Sequence, residues 1–285
     1  MRPSSRSAWL LGASLCLSTL LLRGAADKKL AIARPVFAQS EDGPALAANY
    51  EAVPGESLFF SCLIEGYSKS EKDEIQLTYQ IQAKDSRGVL LQEPTAGKVE
   101  ATLAPEDKDW KPKLRSTIVV PPMADTGEYQ VLIKVTDERN KSTAESRATF
   151  TVHGRDIAPS DTLVVRDFRF LRSEDDARAL TVPAYRPGDS LWARFLMTGY
   201  KMGEGNSFDI AYGLVVLRPD GTVAYSQPEA AALQEHPFYP QRYQPGELSL
   251  NFPKDQPRGE FTIVLTVRDN IGKQTTETRQ KFSIE

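Results

Sequence analysis

Gly127-Glu-Tyr-Gln-Val-Leu-Ile-Lys-Val-Thr-Asp137 and Gly259-Glu-Phe-Thr-Ile-Val-Leu-Thr-Val-Arg-Asp269 are two versions of one phrase. In the first, Tyr129, Val131, Ile133 and Val135 occupy every second position; in the second, Phe261, Ile263, Leu265 and Val267 do. Side chains of an extended chain point alternately to opposite faces, so each phrase reads as a strand with one buried face. Working outward, Pro54-Gly-Glu-Ser-Leu58 returns as Pro187-Gly-Asp-Ser-Leu191, an offset of 133. At that offset Ser40-Glu-Asp42 falls on Ser173-Glu-Asp175, and Gly66-Tyr67 on Gly199-Tyr200. So many matches in one order at nearly constant spacing mean a duplicated unit.

The same alternation marks further strands. Leu58, Phe60, Cys62 and Ile64 share a phase that Leu191, Ala193, Phe195 and Met197 repeat, and Ile75, Leu77, Tyr79 and Ile81 are answered by Phe208, Ile210 and Tyr212. Asp85-Ser-Arg-Gly88 and Pro219-Asp-Gly-Thr222 supply the glycines that tight turns need for positive φ. In the first copy strands are expected near 30 to 37, 46 to 52, 57 to 65, 74 to 84, 88 to 92, 114 to 120, 128 to 136 and 143 to 152. No amphipathic helix competes, so the fold class is all-β, two tandem antiparallel β-sandwich domains. The expected layout is a leader over residues 1–26, a first domain over 27–152, a linker over 153–160 and a second domain over 161–285. Few linker residues imply that the domains are joined end to end.

Asp125-Thr-Gly127-Glu-Tyr129-Gln-Val131 resembles the D-x-G-x-Y-x-C segment of immunoglobulin domains. The resemblance implies a corner hydrogen bond from Tyr129. It also implies that Val131 stands where a cysteine would bridge the sheets, opposite Cys62. In the second copy Phe195 and Ile263 take those places, while Pro257 replaces the Asp and Phe261 the Tyr, so the corner bond is lost. The chain is most similar to tandem, disulfide-free bacterial immunoglobulin-like or fibronectin type III-like modules, which implies a fold and not a function.

Residues 1–26 combine basic Arg2 and Arg6, an apolar run from Trp9 to Leu22 and the small residues Gly24, Ala25 and Ala26, the composition of a cleaved secretory signal. Its apolar run is too short to span a bilayer comfortably, and no later segment reads as transmembrane. Export followed by cleavage leaves Cys62 as the only thiol, since the chain has two cysteines and the other is Cys16. Cys62 is in phase with core residues, which favours packing over reactivity. The formal net charge is −3 and becomes more acidic without the leader, so there is no electrostatic footprint for nucleic acid.

The two histidines, His153 in the linker and His236 in a proline-rich loop, offer no base and nucleophile pair, and the acidic turns have no calcium-loop spacing. No catalytic residue, metal ligand or cofactor is therefore expected. The candidate binding residues are Phe238, Tyr239, Arg242 and Tyr243 of the loop from Leu233 to Tyr243, with Trp110 at the matching place in the first copy. Rings on a rigid loop anchor a protein or stack on a sugar, or else fold back over the sandwich edge. The expected function is that of a secreted or periplasmic, non-enzymatic binding or spacer protein with an unidentified protein partner. A carbohydrate-binding module using the loop aromatics, with a glycan partner, and an accessory domain of an enzyme system are the alternatives.

Overall fold

The computed structural model describes residues 29–107, 109–154 and 157–285; the expected leader, residues 1–26, lies outside them. The first eight strands are β1 (Ala31–Ala38), β2 (Glu51–Ala52), β3 (Ser57–Glu65), β4 (Glu74–Lys84), β5 (Thr95–Thr102), β6 (Lys113–Val119), β7 (Gly127–Asp137) and β8 (Thr143–Val152). A three-stranded sheet in the order β1-β3-β6 faces a five-stranded sheet in the order β2-β8-β7-β4-β5. The next eight are β9 (Val164–Leu171), β10 (Ala184–Tyr185), β11 (Ser190–Thr198), β12 (Phe208–Leu217), β13 (Val223–Glu235), β14 (Tyr243–Asn251), β15 (Gly259–Asp269) and β16 (Gln274–Ile284). They repeat the plan as β9-β11-β14 against β10-β16-β15-β12-β13. The described residues thus form two tandem immunoglobulin-like β-sandwiches.

Each sandwich closes over its own core. Leu58, Phe60, Cys62 and Ile64 from β3 meet Tyr129, Val131, Ile133 and Val135 from β7 in the first core, and Phe195 and Ile263 lie in the second. Each large side chain taken out of water contributes about 1.5–3 kcal/mol, which is how a sandwich without a cross-link holds together. Cys62 is fully buried, and burial pushes its thiol up to about 12.

The first strand of each copy is divided between the sheets. β1 pairs antiparallel with β3, and then β2 crosses over and pairs parallel with β8; β9 and β10 do the same with β11 and β16. A bulge interrupts β1 between Ala33 and Val36, with Arg34 at φ 49°, and its counterpart in β9 holds Asp167 at φ 52°. The expected strand over 46 to 52 is therefore only Glu51–Ala52, because the chain turns at Ala47, whose carbonyl accepts from the Tyr50 amide.

A second correction concerns residues 88 to 92, which make a single bridge, Leu90 to Lys84. The fifth strand is β5, further along, and its inward residues Thr95, Gly97, Val99 and Ala101 are half-buried and mostly small. Gly97 is required where it stands, since a Cβ there would lie 2.6 Å from the Tyr79 hydroxyl.

Candidate functional site

A buried polar cluster lies where the first sandwich meets the second. Asp85 directly follows β4 and opens the β4–β5 turn, where Gly88 closes the turn at φ 85°. Its carboxylate is 1% exposed. One oxygen accepts from the backbone amides of Arg87 at 2.9 Å and Val89 at 2.8 Å. The other accepts from the Tyr239 hydroxyl at 2.9 Å and from Arg87 Nη2 at 3.1 Å. Arg87 also pairs with Asp125 and donates to the Tyr239 oxygen at 3.2 Å. A buried carboxylate survives only when its lone pairs are filled, and here two of the four donors are the Tyr239 hydroxyl and the Arg87 guanidinium.

Tyr239 belongs to the second copy, yet its ring packs against the core of the first. Burial, the hydrogen bond to Asp85 and the negative charge of Asp85 push its hydroxyl well above the usual tyrosine range. Beside it, Tyr129 donates to the Asp125 carbonyl at 3.1 Å, and burial followed by the field of Asp85 pushes its hydroxyl up to about 12. Tyr243 is 4% exposed and donates to the carbonyl of linker residue Ile157 at 2.7 Å. Two aromatics from one loop thus hold the first sandwich and the linker.

The structure distributes the candidate binding residues rather than gathering them. Leu233 to Glu235 finish β13 and Tyr243 opens β14, so the loop proper is residues 236–242. Within it Phe238 remains 45% exposed, and Arg242 is exposed while its carbonyl accepts from Thr198 at 3.0 Å. Trp110 is 40% exposed, but it sits at the end of the first sandwich where Tyr67 donates to its carbonyl. That end lies one length of β4 away from Asp85. Eleven residues of strand at about 3.3 Å each make β4 some 35 Å long. Trp110 and the second-copy loop therefore occupy matching ends of different sandwiches, as their matched carbonyl contacts with Tyr67 and Tyr200 show.

Other repeated polar groups are structural. Tyr67 donating to Trp110 is matched by Tyr200 donating to Gln241. Asp137 and Asp269, which close the two matched phrases, are buried; Asp137 accepts from Ser68 and Asp269 from Lys201, the corresponding positions after β3 and β11. Sequence reasoning saw Asp85 only as a turn residue. The available signal was that its counterpart at offset 133, Arg218, is a different kind of residue.

Each three-stranded sheet also carries a cleft on its outer face, at equivalent residues of the two copies, with volumes of about 600 Å³ and 580 Å³. In the first, Val36, Phe59 and Leu63 form a half-buried floor between Arg34, Lys113 and Arg115. Loop 40–43 leans over it, with Asp42 paired to Lys113 and to Arg115 and Glu41 3.7 Å from Arg115. Hydrogen bonds from Lys113 and Arg115 hold the Asp42 carboxyl below its ordinary value. In the second cleft the charges are rearranged, with Asp167 for Arg34, Pro245 for Lys113 and Glu247 for Arg115.

Among the described residues no group of three or more His, Cys, Asp or Glu is placed to hold a metal ion, and no helix is long and apolar enough to cross a membrane. No family model matches the chain, and no curated protein does. Among solved structures it is similar to the C-terminal domain of the AgI/II polypeptide BspA of Streptococcus agalactiae, at 11% identity and a TM-score of 0.29 over 90% of this chain and 99% of that one. It is also similar to the C-terminal domain of the antigen I/II-family protein AspA of Streptococcus pyogenes, at 8% identity and 0.30 over 90% and 99%. A family 123 glycoside hydrolase from Clostridium perfringens matches at 12% identity and 0.29 over 44% of this chain and 27% of that one. Scores of this size carry no functional inference, and the fold stands on the sheets themselves.

Proposed function

We propose that this is a non-catalytic binding or spacer protein of the cell envelope or exterior, acting through protein contacts of two sandwiches held in a fixed relation. The observation that carries the reading is the clasp of Tyr239 on Asp85 and Arg87. A loop of aromatics that would otherwise serve as a sugar platform has its two tyrosines committed to the joint. The outward sheet faces are then the broad surfaces left for a partner. The signal-like composition of residues 1–26 supports placement outside the cytoplasm.

Small-angle scattering or spin-label distances across the joint test the fixed relation. The expected result is one narrow distance in the wild type and a broadened one in Tyr239→Ala. A pull-down of mature protein against its native envelope extract tests the binding role. A reproducible partner that Tyr239→Ala holds less well supports it; no reproducible partner together with turnover of a substrate overturns it.

A further inference from the structure

An open strand edge is a row of unpaired amides and carbonyls, which folded proteins blunt. Among the described residues the four sheets have eight edge strands, and seven are blunted. β1 and β9 are broken by the bulges at Arg34 and Asp167, and β2 and β10 are two residues long. β13 carries Pro228 and two register shifts. At β6 the Gln92 side chain accepts from the Val119 amide at 3.0 Å and donates to the Thr117 carbonyl at 2.7 Å. At β14 Pro245 has no amide, and the Tyr212 hydroxyl accepts from the Glu247 amide at 3.2 Å and donates to the Glu247 carbonyl at 2.7 Å. The eighth edge is β5, which pairs with β4 along its whole length, Thr95 to Thr102, with no bulge and no proline.

The Leu103 amide donates to the Asp73 carbonyl at 3.0 Å, so the alternation of an antiparallel ladder turns the odd-numbered residues of β5 toward β4. The amides and carbonyls of Ala96, Lys98, Glu100 and Thr102 then point outward, and among the described residues no group bonds them. Their side chains are exposed. The Lys98 charge reaches Glu138, which Lys141 already holds, and Glu100 accepts from Gln76 Nε2 at 3.3 Å. A lone lysine on an open edge keeps a second strand away. Here Glu100, two residues on, turns that guard into a selector. When β5 is laid antiparallel on a copy of itself so that outward residues pair, a centre at Val99 puts Lys98 opposite Glu100 of the second copy, and Glu100 opposite its Lys98. Moving the centre to Lys98 or to Glu100 sets like charges face to face, which is destabilising. The Val99 centre also brings the half-buried Val99 side chains together and sets Gly97 against Ala101. We propose that β5 of one copy of this chain pairs antiparallel with β5 of a second copy about a two-fold axis at Val99, joining two five-stranded sheets into one. The contact is isologous, with the same strand serving both sides.

A single strand pair is a small contact, so the dimer is weak and forms at high protein concentration. Sedimentation of the mature full chain over a concentration series is the test, and a monomer–dimer equilibrium is expected. Glu100→Pro removes an outward amide without touching the ladder to β4, and is expected to be monomeric. Lys98→Glu and Glu100→Lys each oppose like charges and should weaken the dimer by about tenfold. An equimolar mixture of those two, or the double swap Lys98→Glu/Glu100→Lys, should restore it. Val99→Cys reads the register: across a pair of this kind the two Cα atoms lie about 4.5 Å apart, so mild oxidation should link the dimer through that residue, with Cys62 buried and out of reach. A wild type that stays monomeric to about 1 mM overturns the proposal. So does a dimer that Glu100→Pro leaves intact, a mixture that associates no better than its parts, or a dimer that Val99→Cys does not link. The charge variants alter only exposed side chains, so they keep the test decisive even if circular dichroism shows that the proline variant does not fold. Failure here leaves the binding and spacer reading intact, since that reading needs no second copy.

Discussion

The two sandwiches have the same strands in the same order, yet the first leans on its neighbour for a buried polar group. Asp85 of the first copy is a fully buried carboxylate completed by Tyr239 of the second. The equivalent turn of the second copy, Arg218 to Gly221, carries a base and stays at the surface. Duplication supplied two identical frames, and divergence at the ends turned one turn into a socket. The cores differ in the same spirit: where the first copy places Cys62 and Val131, the second places Phe195 and Ile263, with Phe195 stacked on Phe168 at 5.7 Å and edge-on to Tyr212 at 5.2 Å.

The core difference gives the largest expected effect. Phe195→Ala should destabilise the second sandwich by about 3–5 kcal/mol, whereas Cys62→Ala removes far fewer atoms and should cost about 1 kcal/mol in the first. Denaturant unfolding followed by Trp192 and Trp110, one tryptophan in each sandwich, separates the two transitions. Equal losses would show that the cores do not differ as described.

Next comes the socket. Asp85→Ala leaves the Tyr239 hydroxyl, two amides and Arg87 short of a partner, and should cost the first sandwich about 3 kcal/mol. Arg218→Ala at the matching turn should be nearly silent. Calorimetry of the full chain reads both, and a destabilising Arg218→Ala would break the asymmetry.

The corner hydrogen bond is a smaller test. Tyr129→Phe should lose about 1 kcal/mol, and it brings the first copy to the residue that the second already has at Phe261. A loss well above that figure would mean that Tyr129 also orders the Asp85 socket.

Alkaline pH gives the finest comparison. The Cys62 thiol sits at about 12 folded against an ordinary value of 9.0, so the unfolded chain loses its proton first. Its contribution is complete below pH 9 and disappears as pH rises toward 12. In Cys62→Val that part of the alkaline loss should vanish from the first sandwich's unfolding curve, leaving the share due to Tyr129, which is also pushed up to about 12. A thiol reagent that labels native protein at pH 8 as fast as unfolded protein would contradict the burial of Cys62.

Much of the frame was readable because its signals are local and periodic. The alternations at Leu58 to Ile64 and Tyr129 to Val135, the turn at Gly88 and the offset of 133 each lie within a short window, and a half-buried strand needs nothing else to declare itself. β5 escaped because an edge strand with small inward residues has too little apolar contrast to alternate. The loop aromatics were visible as residues but not as a joint. Whether Tyr239 faces solvent or a neighbour depends on a carboxylate 154 positions earlier in the chain, and no window of sequence contains both.

The sequence by itself therefore determined the duplication, the strand type and which face of each strand turns inward, since these follow from side-chain period and backbone turn chemistry. The tertiary structure alone decided that β1 and β2 divide between the sheets, that Asp85 is completed by Tyr239, and that Asp42 is paired with Lys113 and Arg115. Those outcomes rest on contacts between residues far apart in the chain, whose energies exist only once the sheets have brought them within hydrogen-bonding distance.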